Sequence, residues 1–165
     1  MPIIDSLLSE FDQEAQTTRR VLERIKDEHL NWRPHRKART LGELALHIAW
    51  VPGAVAELAM NDKVQAPTFV DPVPNSAQEV LKTLDESIEK AKKTLAGVSD
   101  EVLLSSWSLF RGEQLLMSQP KLSVIRSIML NHWYHHRGQL SVYLKELDIP
   151  IPSIYGPSAD ENPFA

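Results

Sequence analysis

Within His132-Trp133-Tyr134-His135-His136-Arg137-Gly138-Gln139-Leu140, two histidines stand four residues apart. On an α-helix that spacing places His132 and His136 one above the other on one face, so both imidazoles can aim at a common point. His135 is rotated by about 100° from His136 and cannot share that point without distortion. The helix that carries the segment is predicted to start near Ser118 to Lys121, with Pro120 suited to the first turn, and to run to about Leu147. Pro150 then stops it, and residues 149–165, with Pro152 and Pro157, read as an irregular tail packed along the outside.

Three further helical patterns precede it. From about Ile3 to Lys26, Ile4, Leu7, Leu8, Phe11, Ala15, Val21, Leu22 and Ile25 recur mostly at three- and four-residue steps. A second pattern begins at Thr40, where Thr40-Leu41-Gly42-Glu43 has capping-box form, and Pro52 is expected to kink it. Residues 61–75, with three prolines, read as a loop. A third pattern begins with the second capping box, Ser76-Ala77-Gln78-Glu79, and ends before Gly97, a candidate left-handed cap. Ser99 to Leu104 fits one short turn of helix, and Gly112 fits a turn between two short extended runs. Four long helices with two long connections give an all-α expectation, a four-helix bundle with an irregular tail.

The 165 residues suit a single domain over 1–165. Hydrophobic residues make up 42% and charged residues 24%, an ordinary globular mix. The net charge of −4 offers no basic footprint, so nucleic acid is not an expected partner. Cysteine is absent, which excludes disulfides, thiolate metal sites and cysteine nucleophiles. Any thiol in the chemistry must therefore arrive on another molecule. No basic n-region and no run of about 20 apolar residues was found, giving the expectation of no membrane span and a cytoplasmic location.

A third imidazole has to come from another helix. His47 replaces an apolar residue in the stripe Leu44, Ile48, Val51. Burying a polar ring without a partner costs about 1–3 kcal/mol, so it needs one. Either a shared metal with His132 and His136 or a hydrogen-bonded core network would supply it.

The nonapeptide resembles the H-x-x-H-H-R-G-Q-L signature of the DinB-like superfamily, which includes YfiT-type metal-dependent hydrolases and bacillithiol transferases. Leu41-Gly42-Glu43-Leu44-Ala45-Leu46-His47-Ile48 is similar to that group's second-helix motif, and residues 152–161 to the tail of many members. The resemblance implies an up-down-down-up bundle, often a homodimer. It also implies one divalent transition metal, zinc or nickel, held by His47, His132 and His136, with water or substrate in the remaining positions. In the transferase branch a low-molecular-weight thiol such as bacillithiol is the co-substrate.

Three protein ligands would leave open positions, the arrangement of catalytic rather than closed structural sites. The expected function is a metal-dependent enzyme on a small-molecule substrate, of thiol S-transferase or hydrolase type. The alternatives are a non-catalytic metal-binding or stress-related module and a purely structural bundle. Glu43, one turn before His47, either orients its ring or caps the helix. Gln139 either hydrogen-bonds near the metal or fills the core. Trp50, Trp133 and Tyr134 either line a pocket or pack in the core. Trp32 and His35 are candidates for its mouth, and His29 and His135 read as surface or interface residues. Arg137 is expected to pair with an acid at the surface or at a dimer contact. Gly138 suggests a close helix approach or relief of crowding near the metal.

Overall fold

The computed structural model describes residues 2–68 and 70–165. Its central element is α2, Leu41–Met60, which starts where Thr40 closes a complete capping box. Thr40 Oγ1 accepts from Glu43 N at 3.1 Å, and Thr40 N donates to Glu43 Oε2 at 2.6 Å. By length and composition α2 is apolar enough to cross a membrane, which corrects the reading that the chain has no such run. Buried positions account for 61% of that stretch, because α2 packs against α3 (Ala77–Leu95) on one side and α6 (His132–Glu146) on another. The remaining long helix, α1 (Ile3–Leu22), packs against α3 and α6.

Pro52 has no N–H, so the Ile48 carbonyl one turn earlier lacks a helical donor. The Trp133 indole supplies it, Nε1 donating to Ile48 O at 2.9 Å. Beside it Ser87 of α3 inserts its hydroxyl into α2. Ser87 Oγ accepts from Gly53 N at 2.8 Å and donates to the Trp50 carbonyl at 3.0 Å. A Cβ on Gly53 would lie 2.8 Å from Ser87 O, so only glycine permits this approach of α2 to α3.

Local signals set the other ends. α1 stops at Leu22, short of the expected Lys26, where Arg24 N bonds to Val21 O in a tightened turn. Ser76 Oγ caps α3 through Glu79 N at 3.1 Å. Only half of that second box forms, because the Glu79 carboxylate turns to Asn75 N and Nδ2. Gly97 has φ +72° just past α3, as a left-handed cap requires. Ser99 then caps the short α4, Asp100–Leu104.

The all-α expectation needs correcting: the protein is mostly helical with a small three-stranded sheet. β1 (Lys63–Gln65) runs parallel to β2 (Ser106–Arg111), which pairs antiparallel with β3 (Gln114–Pro120) through a turn at Gly112 (φ +60°). The sheet is pinned to the end of α2. Trp107 Nε1 donates to Leu58 O at 3.1 Å, and Lys121 Nζ donates to Met60 O at 2.7 Å while pairing with Asp62. Lys121 thus supplies charge and a donor to the free carbonyls of a helix C-terminus.

The last helical run is continuous but not uniform. α5 (Lys121–Val124) passes into a π-helical segment, Ile125–Asn131, and then into α6. Pro120, at φ −60° and ψ 147°, is the residue before the first turn rather than inside it. The tail holds no helix or strand among the described residues, and it is tied down by Arg20 Nη2 donating to Ser153 O and by Lys145 pairing with Asp160.

Two expectations on α6 are overturned. Arg137 is not at the surface. Its side chain is 2% exposed and ion-paired with Glu14 at 2.6 Å, because its face of α6 points at α1 rather than outward. Gly138 has no close neighbour among the described residues: a Cβ there would meet nothing within 4 Å. Gly138→Ala should therefore stabilise the protein by about 1 kcal/mol, the helix-propensity difference alone. Urea denaturation checks this, and a loss of stability would show that this turn is packed against a second molecule in solution.

Candidate metal centre

His47 enters the interior from α2 because its neighbours on that face, Leu44, Ile48 and Val51, are core residues. His132 is the first residue of α6, directly after the π segment, and His136 follows one turn on. A π turn adds a residue to the local repeat and rotates everything after it, so it sets the direction in which both rings leave the helix.

The three rings converge. The His132 and His136 Nε2 atoms are 2.8 Å apart. The His47 ring centroid lies 5.2 Å from that of His132 and 4.7 Å from that of His136. One ligating nitrogen from each ring falls within 4.8 Å of the others. His47 Nε2 is buried with no hydrogen-bond partner among the described residues. An unpartnered buried nitrogen beside two others is poorly explained by a core network, which would have satisfied it, and well explained by a cation at the shared point.

The surroundings prepare the rings for that role. His136 Nδ1 lies 2.7 Å from Gln139 Oε1, so it carries the proton and leaves Nε2 as an electron-pair donor. Asp71, from the proline-rich loop, sits 3.8 Å from His47 Nδ1 and accepts from Arg39 Nε at 2.8 Å. Burial is the first cause that pushes His47 and His132 down to about 4, with the neighbouring Arg39 and histidine charges adding to it. Burial also lowers His136, against the Gln139 hydrogen bond. All three are neutral at physiological pH, the form that binds metal.

The sign of the pH effect follows. Between about 6.5 and 4 the unfolded chain takes up protons that the folded one refuses, so metal-free protein loses stability as pH falls through that window. A shift of this size corresponds to about 3 kcal/mol for a histidine. Urea midpoints from pH 7 to pH 4.5 should fall, and should fall less in His47→Leu. Equal slopes for the two proteins would contradict the burial of this ring.

A cavity of about 670 Å³ opens beside His47 and His132. Val51, Val55, Leu58 and Ile128 make an apolar wall, and Arg39 stands at the metal end. Trp50 lines it, 47% exposed, with its ring 6.5 Å from that of His47. Trp133 does not. It is fully buried, stacked on Phe11 and committed to Ile48, so of the two roles open to it in the sequence, pocket lining or core packing, it takes the second. Tyr134 faces α1 and donates to Glu10. Glu43 is held in its capping box and near Arg33, not against His47. Trp32 packs edge-on to Tyr143, His35 stays exposed, and neither lines the cavity.

Arg39 and Asp71 escaped the sequence reading. Both sit outside helices, and nothing in their local pattern signals that the fold brings them to the histidines. As it stands, the arrangement can hold a cation on three neutral imidazoles, leave coordination positions facing the cavity and place a guanidinium beside them.

Comparison with known proteins gives a consistent picture. The sequence model of the DinB family matches residues 2–162. The Bacillus subtilis "uncharacterized protein YrdA" is 28% identical over 160 residues, covering 96% of this chain and 91% of that protein. Among solved structures, a DinB-like protein from Bacillus cereus matches with a TM-score of 0.74 at 23% identity, over 92% of this chain and 97% of that one. The DinB-like protein YjoA from Bacillus subtilis matches at 0.66 and 20% identity, over 88% and 96%. At these identities the two structures speak for a common fold.

Proposed function

The chain belongs to the DinB family, and on that premise we propose that it is a divalent-metal-dependent enzyme acting on a small molecule, of the thiol S-transferase or hydrolase type. The observation that carries the reading is the convergence of His47, His132 and His136, the first two lining a 670 Å³ cavity, with His47 Nε2 buried and unpartnered among the described residues. His47, His132 and His136 would hold the ion, zinc or nickel, both of which accept imidazole. When bound, such an ion makes a thiol or water acidic and polarises a carbonyl. Gln139 fixes the His136 ring, and Asp71 stands behind His47. The apolar wall excludes water from one side of the site and receives the carbon part of a substrate.

A metal-held thiol or water is made acidic by the ion itself, so both branches remain within the proposal. Since the chain has no cysteine, that thiol belongs to a small co-substrate. The homodimer that the family resemblance implies is part of the same proposal, and sedimentation checks it.

The test is elemental analysis of tag-free protein after exposure to zinc or nickel, followed by a screen of small thiols against electrophiles and esters. Near-stoichiometric metal with turnover supports the proposal. Metal without turnover points to the non-catalytic binding module. Metal in less than about a tenth of the molecules at excess ion removes the reading altogether.

A further inference from the structure

We infer that the cavity takes a small organic acid and that Arg39 binds its carboxylate, while the carbon part of the molecule lies along the apolar wall of α2. The inference rests on the metal-dependent reading above and names the substrate class of that site.

Arg39 lines the cavity together with His47 and His132. Its Nε donates to Asp71 Oδ2 at 2.8 Å, which holds the guanidinium plane in place. Its two Nη groups make no hydrogen bond among the described residues, although the side chain is only 32% exposed. A half-buried guanidinium with one edge anchored and the other open is prepared to grip a planar oxyanion with two parallel donors. Asp71, which anchors this guanidinium, also lies 3.8 Å from His47 Nδ1, so the open edge of Arg39 stands beside the proposed metal position.

The rest of the lining narrows the class. Val51, Val55, Leu58 and Ile128 offer only carbon. Lys90, the other cation at the cavity, is held by Glu57 at 3.0 Å. One available guanidinium, with a two-donor edge open, matches one planar carboxylate. A molecule with one acidic group, a short apolar body and a metal-seeking group fits the three features in order.

The experiment uses the cobalt-loaded full chain, with mercaptopropionate and its uncharged analogue mercaptopropanamide as probes. Thiolate binding to cobalt is read from the charge-transfer absorption. Wild type should bind the acid about tenfold more tightly than the amide. Arg39→Gln should bring that ratio close to one with cobalt content unchanged, and Arg39→Lys should retain part of it. An equal affinity for both probes in wild type, or a ratio untouched by Arg39→Gln, overturns the inference while leaving the metal reading standing. Failure of wild type to hold cobalt overturns both. Should Arg39→Gln not fold, the wild-type ratio and the intermediate value in Arg39→Lys still decide.

Discussion

His132→Ala should weaken zinc binding more than about 100-fold and leave the fold in place. The outer partners of metal-binding histidines are worth about 10- to 100-fold in affinity, and a direct ligand exceeds that. Removing one of three imidazoles leaves His47 and His136 on different helices, too few to complete the coordination of the ion. The apo protein should not suffer, because the His132 ring is disfavoured in its charged form by burial and packs against two other polar rings. A chelator competition titration reads the affinity, and circular dichroism reads the fold. His135→Ala is the matched control, since that residue is exposed and is not one of the three whose nitrogens come together. Gln139→Ala should fall between them, at about tenfold, because it releases the His136 ring without removing it. Affinity within about threefold of wild type in His132→Ala would end the three-histidine account.

The largest effect on stability is expected away from the metal centre. Arg137 is sandwiched between Tyr134 and Tyr155, with its guanidinium 5.3 and 5.1 Å from the two rings. It pairs with Glu14, donates to Thr18 Oγ1 at 3.1 Å and contacts the Tyr155 hydroxyl, which itself donates to Glu14 at 2.9 Å. Arg137→Ala leaves the Glu14 carboxylate, 12% exposed, with its cation gone. Breaking a buried pair from one side costs about 3–5 kcal/mol. Urea denaturation should show a loss in that range, and the double variant Arg137→Met with Glu14→Gln should recover much of it. A loss below about 1 kcal/mol would mean that water already solvates the pair. Because Tyr155 belongs to the tail, the single variant should also expose residues 149–165 to protease before the rest of the chain.

The same network shows where sequence reading reaches its limit. Thr40, Ser76, Gly97 and Ser99 announce helix ends through chemistry within a few residues, and each sits where that chemistry placed it. His132 and His136 share a face by spacing alone, so their meeting was legible too. His47 was legible because a polar ring interrupts an apolar stripe. Arg137 was misread because spacing along α6 does not reveal that α1 lies on its far side. Lys63–Gln65 reads as loop because three residues make a strand only once β2 lies beside them, a contact more than forty residues distant. Trp50 and Trp133 are the same residue type, one on α2 and one on α6. Only the packing sends the first to the cavity and the second to the core.

Pro52 sets a further condition on the centre. The carbonyl it leaves vacant belongs to Ile48, and the indole that fills it belongs to Trp133. Each of these is the immediate chain neighbour of a histidine, 47 and 132. One hydrogen bond thus rivets the two helices together a single residue from where the rings meet, and it does so before any ion arrives. The gap between donors is built into the empty scaffold instead of being drawn shut by the cation. Stripping the metal should therefore leave the helices as they were, unlike a zinc finger, which collapses when its ion is removed. Loading and unloading of an ion at the proposed centre would then be a local exchange.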